Sequence, residues 1–329
     1  MKETDYAYAV ARIRVNELSL LTTSDLEQLI AAPNLQSALH FLESKGWINP
    51  EDKDDVNNVL KKQLNNTWQL LSEISPDLSA LEFLIVKNDF HNIKAVLKAF
   101  VSENAFSSHT SGTASFIIPS TVSPEQIMHA VFNKSFDELP GFLKDAVTET
   151  YNVLIQTSDG QLADIMLDSY ALNETMNKAE KTKNEFVIHL AELICVTANI
   201  KIALRSARTK KEKQFLEKAL CRTKSLDRAA LIDAASKSVE ELLEFLSTTS
   251  YSEAAEQIGI SYSAFEKWCD DILMSHIEKA KYKSFGIEPL IAFYIAKDAE
   301  IKNVRIILSC KHNELPPQTI RERVRKLYV

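Results

Sequence analysis

Apolar residues recur along this chain at intervals of three and four positions, the spacing of one helix face, and one such stripe is repeated three times. The repeated phrase is Asn, then Ile or Val, then Lys or Arg, two variable positions and Leu. It begins at Asn92, Asn199 and Asn303, with separations of 107 (199 − 92) and 104 (303 − 199) residues. The pattern predicts one helical unit that is used three times.

A second apolar block keeps nearly the same period. It begins at Leu35, Phe136 and Val239, with offsets of 101 (136 − 35) and 103 (239 − 136) residues. Any amphipathic helix has apolar residues at i, i+3, i+4 and i+7, so this block matters because it agrees with the first. Together they predict three small helical bundles, each able to bury its own apolar face. The predicted units are residues 1–110, 111–212 and 213–329.

Residues that interrupt helices are scarce in this chain. It has 6 glycines and 9 prolines among 329 residues, whereas average usage is about 7% glycine and about 5% proline. The best strand candidate, residues 113–119, is short and lies in a Ser/Thr-rich segment. We therefore predict an all-α fold.

The net charge of −7 disfavours a general surface for nucleic acid or anionic membrane, because both need a dominant basic field. The N-terminus lacks the order of a signal peptide. The longest obvious apolar run, residues 289–296, is eight residues, well short of a bilayer span. We expect no direct transmembrane segment and any membrane association to be made through partner proteins.

Signatures of catalysis are absent from the sequence. There is no phosphate-binding glycine loop, no Gly-x-Ser-x-Gly and no His-Glu-x-x-His motif. The four cysteines form no Cys-x-x-Cys pair, and they are expected to be reduced thiols packed as small hydrophobes. We predict no catalytic residue, no cofactor and no metal. The cysteines are Cys195, Cys221, Cys269 and Cys310.

The polar positions of the repeated phrase favour a structural interpretation. An asparagine beside a packing stripe is expected to bond across to a neighbouring helix, and no acid or histidine recurs nearby to complete an active site. An interface role for the basic position stays open. The repeat-marking residues are Asn92, Lys94, Asn199, Lys201, Asn303 and Arg305.

Two basic runs stand out on this acidic chain. Residues 201–213 carry six cations and one acid, a net +5, and residues 321–326 sum to +3. Charge runs are commonly solvated, and cations near helix C-termini also complement the helix dipole. They remain the best candidates for an electrostatic docking surface to partner proteins: Lys201, Arg205, Arg208, Lys210, Lys211, Arg321, Arg323 and Arg325.

Residues 251–268 indicate an alternative function, that of a helix-turn-helix DNA-binding regulator. Paired alanines, an Ile-Gly-Ile-Ser turn and a following helix are typical of that motif. From Tyr251 to Asp271, however, one cation, Lys267, faces five acids. A recognition helix that faces phosphates needs the opposite sign. A free helical adaptor is a third possibility.

The C-terminal residues 285–308, from Phe-Gly-Ile-Glu-Pro-Leu to Asn-Val-Arg-Ile-Ile-Leu, resemble the C subunit of the archaeal and bacterial V-type (A-type) ATPases, a family that includes the d subunit of the eukaryotic vacuolar ATPase. The resemblance extends over essentially the whole chain. It is also carried by residues 6–14, 87–94, 311–316 and 320–329.

This resemblance implies a non-catalytic rotor component that binds no nucleotide. The expected shape is a funnel of three similar helical bundles with pseudo-threefold symmetry. The expected place is cytoplasmic and peripheral, as a socket that links the central stalk to the membrane proteolipid ring. There it would transmit torque between ATP hydrolysis or synthesis and proton or sodium transport.

Overall fold

The computed structural model describes residues 2–48, 56–105 and 116–329, and within these ranges the chain is helical with no β-strand. The all-α prediction is confirmed. Short 3-10 turns occupy Glu3–Tyr6, Ser79–Leu84, Phe136–Glu138 and Glu278–Tyr282. The α-helices are α1 (Ala7–Glu17), α2 (Thr23–Ala31), α3 (Leu35–Ser44), α4 (Val56–Ile74), α5 (Val86–Ala105), α6 (Pro124–Phe132), α7 (Gly141–Thr157), α8 (Gly160–Lys181), α9 (Glu185–Arg208), α10 (Lys213–Ala219), α11 (Arg228–Lys237), α12 (Val239–Ser247), α13 (Ser252–Ile260), α14 (Tyr262–Ile277), α15 (Glu288–His312) and α16 (Pro317–Arg323).

Side-chain caps set many of the helix starts. At α2 the Thr22 hydroxyl accepts from the N–H of Asp25 while the Asp25 carboxylate accepts from the N–H of Thr22, a capping box. At α9 the side chain of Asn184 accepts from the N–H groups of residues 186 and 187. These bonds satisfy backbone donors that have no partner inside the helix.

The second apolar block differs from the sequence expectation in its middle copy. Residues 136–138 form a 3-10 turn, and Pro140 is the residue before α7. Because proline cannot donate a backbone hydrogen bond, it separates the turn from the helix. The other two copies are helices, α3 and α12. Of the weak strand candidate, residues 113–115 lie outside the described residues, and 116–119 are non-helical without strand pairing.

The chain divides into two compact units. Unit A is residues 1–78 with 253–329, and unit B is residues 79–252. The core of unit A joins α2 and α3 to α15 and α16, and that of unit B joins α5 to α6, α7 and α8. The unit boundaries follow tertiary contacts, so they differ from the repeat boundaries near 110 and 212, and the threefold division stays a prediction.

A buried ion pair lies on α15 in the core of unit A. The Nζ of Lys297 is 2.8 Å from a carboxylate oxygen of Glu300 and 4.3 Å from the ring centre of Trp47. The other Glu300 oxygen accepts from the backbone N–H of Leu21 at 2.5 Å. Burial raises the pKa of the Glu300 carboxyl, and the Lys297 ammonium opposes this rise.

Among the described residues, α9 is the one helix long and apolar enough to cross a membrane by length and composition. In its most apolar stretch 67% of the residues are buried inside the protein, as expected for a core helix. Glu192 and Lys201 interrupt the apolar run, so this property was not apparent in the sequence.

Candidate functional site

The repeated asparagines lie on α5, α9 and α15, and each is fully buried. Asn199 on α9 shows what they do. Its side-chain N–H donates to the carbonyl oxygen of Cys221 at 2.9 Å, and its side-chain oxygen accepts from the N–H of Cys221 at 3.1 Å. We call this pair of bonds a clamp, since it holds both backbone polar groups of one residue in a non-helical segment.

The other two asparagines form the same clamp. Asn92 exchanges bonds of 3.0 and 2.8 Å with Ile117, and Asn303 exchanges bonds of 3.0 and 2.7 Å with Arg325. The expected partner was a neighbouring helix, but the observed partner is in each case an irregular backbone. A primary amide carries one donor side and one acceptor oxygen in a plane, so it can replace a missing backbone partner.

Copies two and three follow the same register after the asparagine. The clamped residue comes 22 positions later in both (221 − 199 and 325 − 303). After each asparagine helix ends, the residue 11 positions beyond the asparagine has a left-handed backbone conformation: Lys210 in copy two and Glu314 in copy three. A short helix, α10 or α16, then starts 14 positions beyond the asparagine (213 − 199 and 317 − 303). In copy one the clamp comes 25 positions later (117 − 92).

A carboxylate reinforces each clamped segment. Asp89 accepts from the N–H groups of Thr121 and Val122 at 2.8 and 3.1 Å. In the second copy Glu192, on the same helix as Asn199, accepts from the N–H groups of Lys224 and Ser225. In the third copy the acid comes from α14 instead: Asp271 accepts from the N–H of Lys326.

The apolar positions of the phrase form the predicted buried stripe, with every member in the core. In unit B the first phrase packs with Leu143 of the second block, and in unit A the third phrase packs with Leu39 and Leu42 of the first block. The N-terminal block therefore packs with the last phrase of the chain, not with the first. The buried positions are Ile93, Val96, Leu97, Ile200, Ala203, Leu204, Val304, Ile307 and Leu308.

The first basic run lines a cavity of about 350 Å³ between α8, α9 and α10 in unit B. Lys201 and Arg205 face it one helical turn apart, and neither has a side-chain partner among the described residues. Lys211 also lines it and donates to Gln161 at 2.9 Å. Lys94, brought in from α5, pairs with Asp168 at 2.5 Å. The structure thus brings together Lys94 and Lys201, the repeat-marking lysines of copies one and two, which are 107 residues apart in sequence.

The remaining cations do not line this cavity. Arg208 is the last residue of α9, Lys210 is exposed beyond it, and Arg305 is exposed on α15. Of the tail arginines, Arg321 pairs with Glu27 at 3.1 Å on the surface.

The other two tail arginines differ in their surroundings. Arg325 is largely covered, with its Nε 2.9 Å from Asp270, whereas Arg323 is exposed and makes no side-chain bond among the described residues. Arg325 is therefore held by an ion pair within unit A, whereas the side chain of Arg323 is exposed to solvent.

An exposed apolar surface was not predicted. Tyr8, Val15 and Leu18 are 62%, 67% and 85% exposed along α1 and its end, and Tyr282 and Phe285 are 89% and 46% exposed before α15. The spacing 8, 15, 18 could have signalled a second apolar face of the first helix, opposite the buried one. The segment around Phe285 was noted in the sequence only for its resemblance to the V-type ATPase family.

No group of three or more histidine, cysteine, aspartate or glutamate side chains is placed to hold a metal ion within the described ranges. The four cysteines are buried thiols that form no disulfide with one another. The clamps, the cation-lined cavity and the exposed apolar surface are thus the features that distinguish the molecule.

The sequence profile of the ATP synthase (C/AC39) subunit family matches residues 9–323, nearly the whole chain. The chain belongs to this family. Members of the C/AC39 family are structural subunits of the ATPase complex and are not themselves catalytic, so the expectation of a non-enzymatic subunit is confirmed. Its partners include other subunits of a membrane-associated ATPase complex.

Curated relatives of this C/AC39 subunit agree in length as well as in sequence. The C subunit of the V-type sodium ATPase of Enterococcus hirae is 26% identical over 96% of this chain and 97% of its own. The C subunit of the A-type ATP synthase of Methanocaldococcus jannaschii is 28% identical over 96% of this chain and 85% of its own. That of Thermococcus kodakarensis is 23% identical, covering 98% and 91%.

The helix-turn-helix alternative gains no support in this C/AC39 subunit. A single residue, Ser261, separates α13 from α14 and caps the second helix, whereas the predicted turn at residues 258–261 is mostly helical. A DNA-reading motif has a turn of about three or four residues. The one cation of the segment, Lys267, pairs with Asp271 at 2.7 Å, so no free positive charge is offered to phosphate.

Proposed function

We propose that this subunit is the rotor socket of its ATPase, joining the central stalk to the membrane proteolipid ring and passing torque that drives proton or sodium transport or ATP synthesis. The proposal includes a funnel of three similar bundles and a cytoplasmic, peripheral position. Family membership supports the assignment to the complex, and the relatives named as sodium ATPase and ATP synthase subunits support both directions of operation.

The threefold clamp is the observation that carries the mechanical part of the proposal. A spacer that transmits torque must not bend at its irregular segments. Buried hydrogen bonds to both backbone groups of Ile117, Cys221 and Arg325 fix those segments against their helices. A backbone held in this way resists local opening more than an exposed loop does.

The basic positions are proposed as docking contacts. Lys201 and Arg205 are the best placed, because they are unpaired cations beside an open cavity with apolar residues such as Phe215 in its lining. An acidic segment of another subunit would gain charge-assisted hydrogen bonds there. Arg208, Lys210, Lys211 and Arg323 extend this candidate set.

Pull-down of the tagged chain from detergent-solubilised membranes, with identification of bound chains, tests the proposal. We expect proteolipid and central-stalk subunits to be recovered, and complexes that lack the chain to lose coupling between hydrolysis and ion movement. An intact, coupled complex without this chain would contradict the proposal. A chain recovered without any ATPase subunit would be a free adaptor.

The docking contacts have their own test. Lys201→Glu with Arg205→Glu should weaken recovery of the partners while helicity by circular dichroism stays unchanged, because neither side chain has a partner among the described residues. Lys61→Glu with Lys181→Glu, two exposed lysines away from the cavity, is the matched charge control. Equal loss in both pairs would show that net charge alone, not the cavity, governs docking.

A further inference from the structure

We propose that unit A carries a surface that contacts a membrane with anionic headgroups. The surface, named here the aromatic–basic patch, consists of the outer face of α1 (Tyr8, Arg12, Val15 and Leu18) and residues 279–285. It is a direct lipid contact, in addition to any contact that partner subunits make, and it does not depend on the torque proposal above.

Helix α1 is apolar on both sides. Its inner face buries Ala9, Val10 and Ile13. On its outer face Tyr8 and Val15 lie seven residues apart, and Leu18 follows three residues later, which places all three along one stripe. A helix that is apolar on both faces is typical of one that is covered on both faces, and exposed apolar patches mark interaction surfaces.

Residues 279–285 lie beside this stripe. The guanidinium of Arg14 donates to the carbonyl oxygens of Ala280 and Lys283, both at 2.8 Å. Arg14 and Leu18 are one turn apart, about 40° around the helix axis, so these bonds hold the backbone of residues 280–283 beside the edge of the stripe. The N–H of Gly286 donates to the carbonyl oxygen of Glu3 at 3.2 Å, which fixes the far end of the segment.

The patch is positively charged, although the whole chain carries −7. Residues 279–285 contain three exposed lysines and no acid, and Arg12 bonds the hydroxyl of Tyr8 at 2.9 Å. Neighbouring acids are largely neutralised: Glu17 pairs with Arg14 at 2.8 Å, and Glu278 pairs with Lys326 at 2.6 Å. Lys281 is 3.8 Å from Glu278 and lies over the ring of Tyr328, so Lys279 and Lys283 are the lysines left for an anionic surface. Glu3 and Asp5 also lie at its edge, and the carboxylate of the buried Glu288 lies against Gly286.

This composition fits a lipid surface better than a protein interface. Exposed aromatic rings occur at both kinds of surface, so the lysines decide: lysine is depleted from protein–protein interfaces, yet three lysines lie within three residues of the exposed Tyr282. At a bilayer surface, tyrosine rings sit at the headgroup level, lysine stems reach past apolar groups to the phosphates, and each lysine is attracted by anionic lipid. The ATPase complex to which the chain belongs is membrane-associated, so a bilayer is within its surroundings.

Vesicle flotation of the purified full-length chain tests the inference. We expect binding to phosphatidylcholine vesicles that contain phosphatidylserine, weak binding to phosphatidylcholine alone, and release by salt. Lys279→Gln with Lys283→Gln should lower the partition coefficient by roughly fivefold for each lysine. Tyr282→Ser with Phe285→Ser should lower binding to both vesicle types.

Matched controls keep the test specific. Ile260→Ser replaces another exposed apolar residue of unit A, and Lys61→Gln with Lys218→Gln removes two exposed lysines elsewhere. Both controls should bind like wild type, and all variants should keep wild-type helicity by circular dichroism.

Three results would overturn the inference: no preference of the wild type for anionic vesicles, equal losses in patch and control variants, or patch variants that lose only their protein partners in detergent. The last result would identify the patch as a protein contact. Because the vesicles contain no other protein, a negative flotation result leaves the socket proposal untouched, and that proposal can fail in the pull-down while lipid binding persists.

Discussion

The side-chain amide of Asn199 and the backbone of Cys221 exchange two hydrogen bonds, of 2.9 and 3.1 Å, inside a region closed to water. The relationship converts an irregular segment into a fixed part of the helical framework. The same arrangement recurs at the other two asparagines. The repeated phrase therefore supplies a hydrogen-bonded attachment for an irregular segment as well as a stripe of buried apolar residues.

We predict that Asn199→Ala lowers the free energy of unfolding by about 2–4 kcal/mol, because it leaves a buried N–H and a buried carbonyl of Cys221 without partners. Denaturant unfolding followed by circular dichroism measures the change. Asn57→Ala, at an exposed position of α4, is the control and should change the free energy by at most about 0.5 kcal/mol. A loss below about 1 kcal/mol at Asn199 would show that the clamp contributes little.

We predict that the three tail arginines differ in how much they contribute to the free energy of unfolding. Arg325→Ala is expected to destabilise the fold by about 1–3 kcal/mol, since it removes a largely covered charged bond to Asp270. Arg323→Ala should cost at most about 0.5 kcal/mol, and Arg321→Ala, which breaks an exposed pair with Glu27, at most about 1 kcal/mol.

Thermal or denaturant melts of the three single variants provide the measurement. Equal stability of all three would contradict the separation. Because Arg325 is expected to support the fold, the docking role of the tail is best tested with Arg323→Glu alone: replacing all three arginines would mix docking with stability.

The buried carboxyl of Glu300 should make stability depend on pH. Its pKa is raised above the ordinary 4.5 by burial, against the opposing effect of Lys297. The folded state therefore holds the proton more tightly than the unfolded state, and this group lowers the free energy of unfolding as the pH rises above 4.5.

Glu300→Gln cannot ionise, so its free energy of unfolding should fall less than that of wild type between pH 4.5 and neutrality. Denaturant melts over a pH series show the difference. Glu256→Gln, at an exposed position of α13, is the control and should follow the wild-type curve. A Glu300→Gln curve parallel to wild type would mean that the carboxyl keeps its ordinary affinity for protons.

Much of this protein is determined locally. The scarcity of glycine and proline and the helical period of the apolar residues predicted an all-α chain, and the phrase positions such as Ile93 and Val304 are buried as a 3.6-residue stripe requires. The resemblance carried by residues 285–308 identified the family, which the match over residues 9–323 establishes.

Tertiary structure alone decided the rest. The sequence shows that Asn303 recurs, but the partner of its amide, Arg325, is chosen by where the chain returns after α16. Likewise Arg323 and Arg325 have the same charge and lie two residues apart, yet only Arg325 meets Asp270, 55 residues earlier. Helix periodicity is a local property of backbone geometry, whereas pairing of buried polar groups depends on which distant segments the shared apolar core brings together.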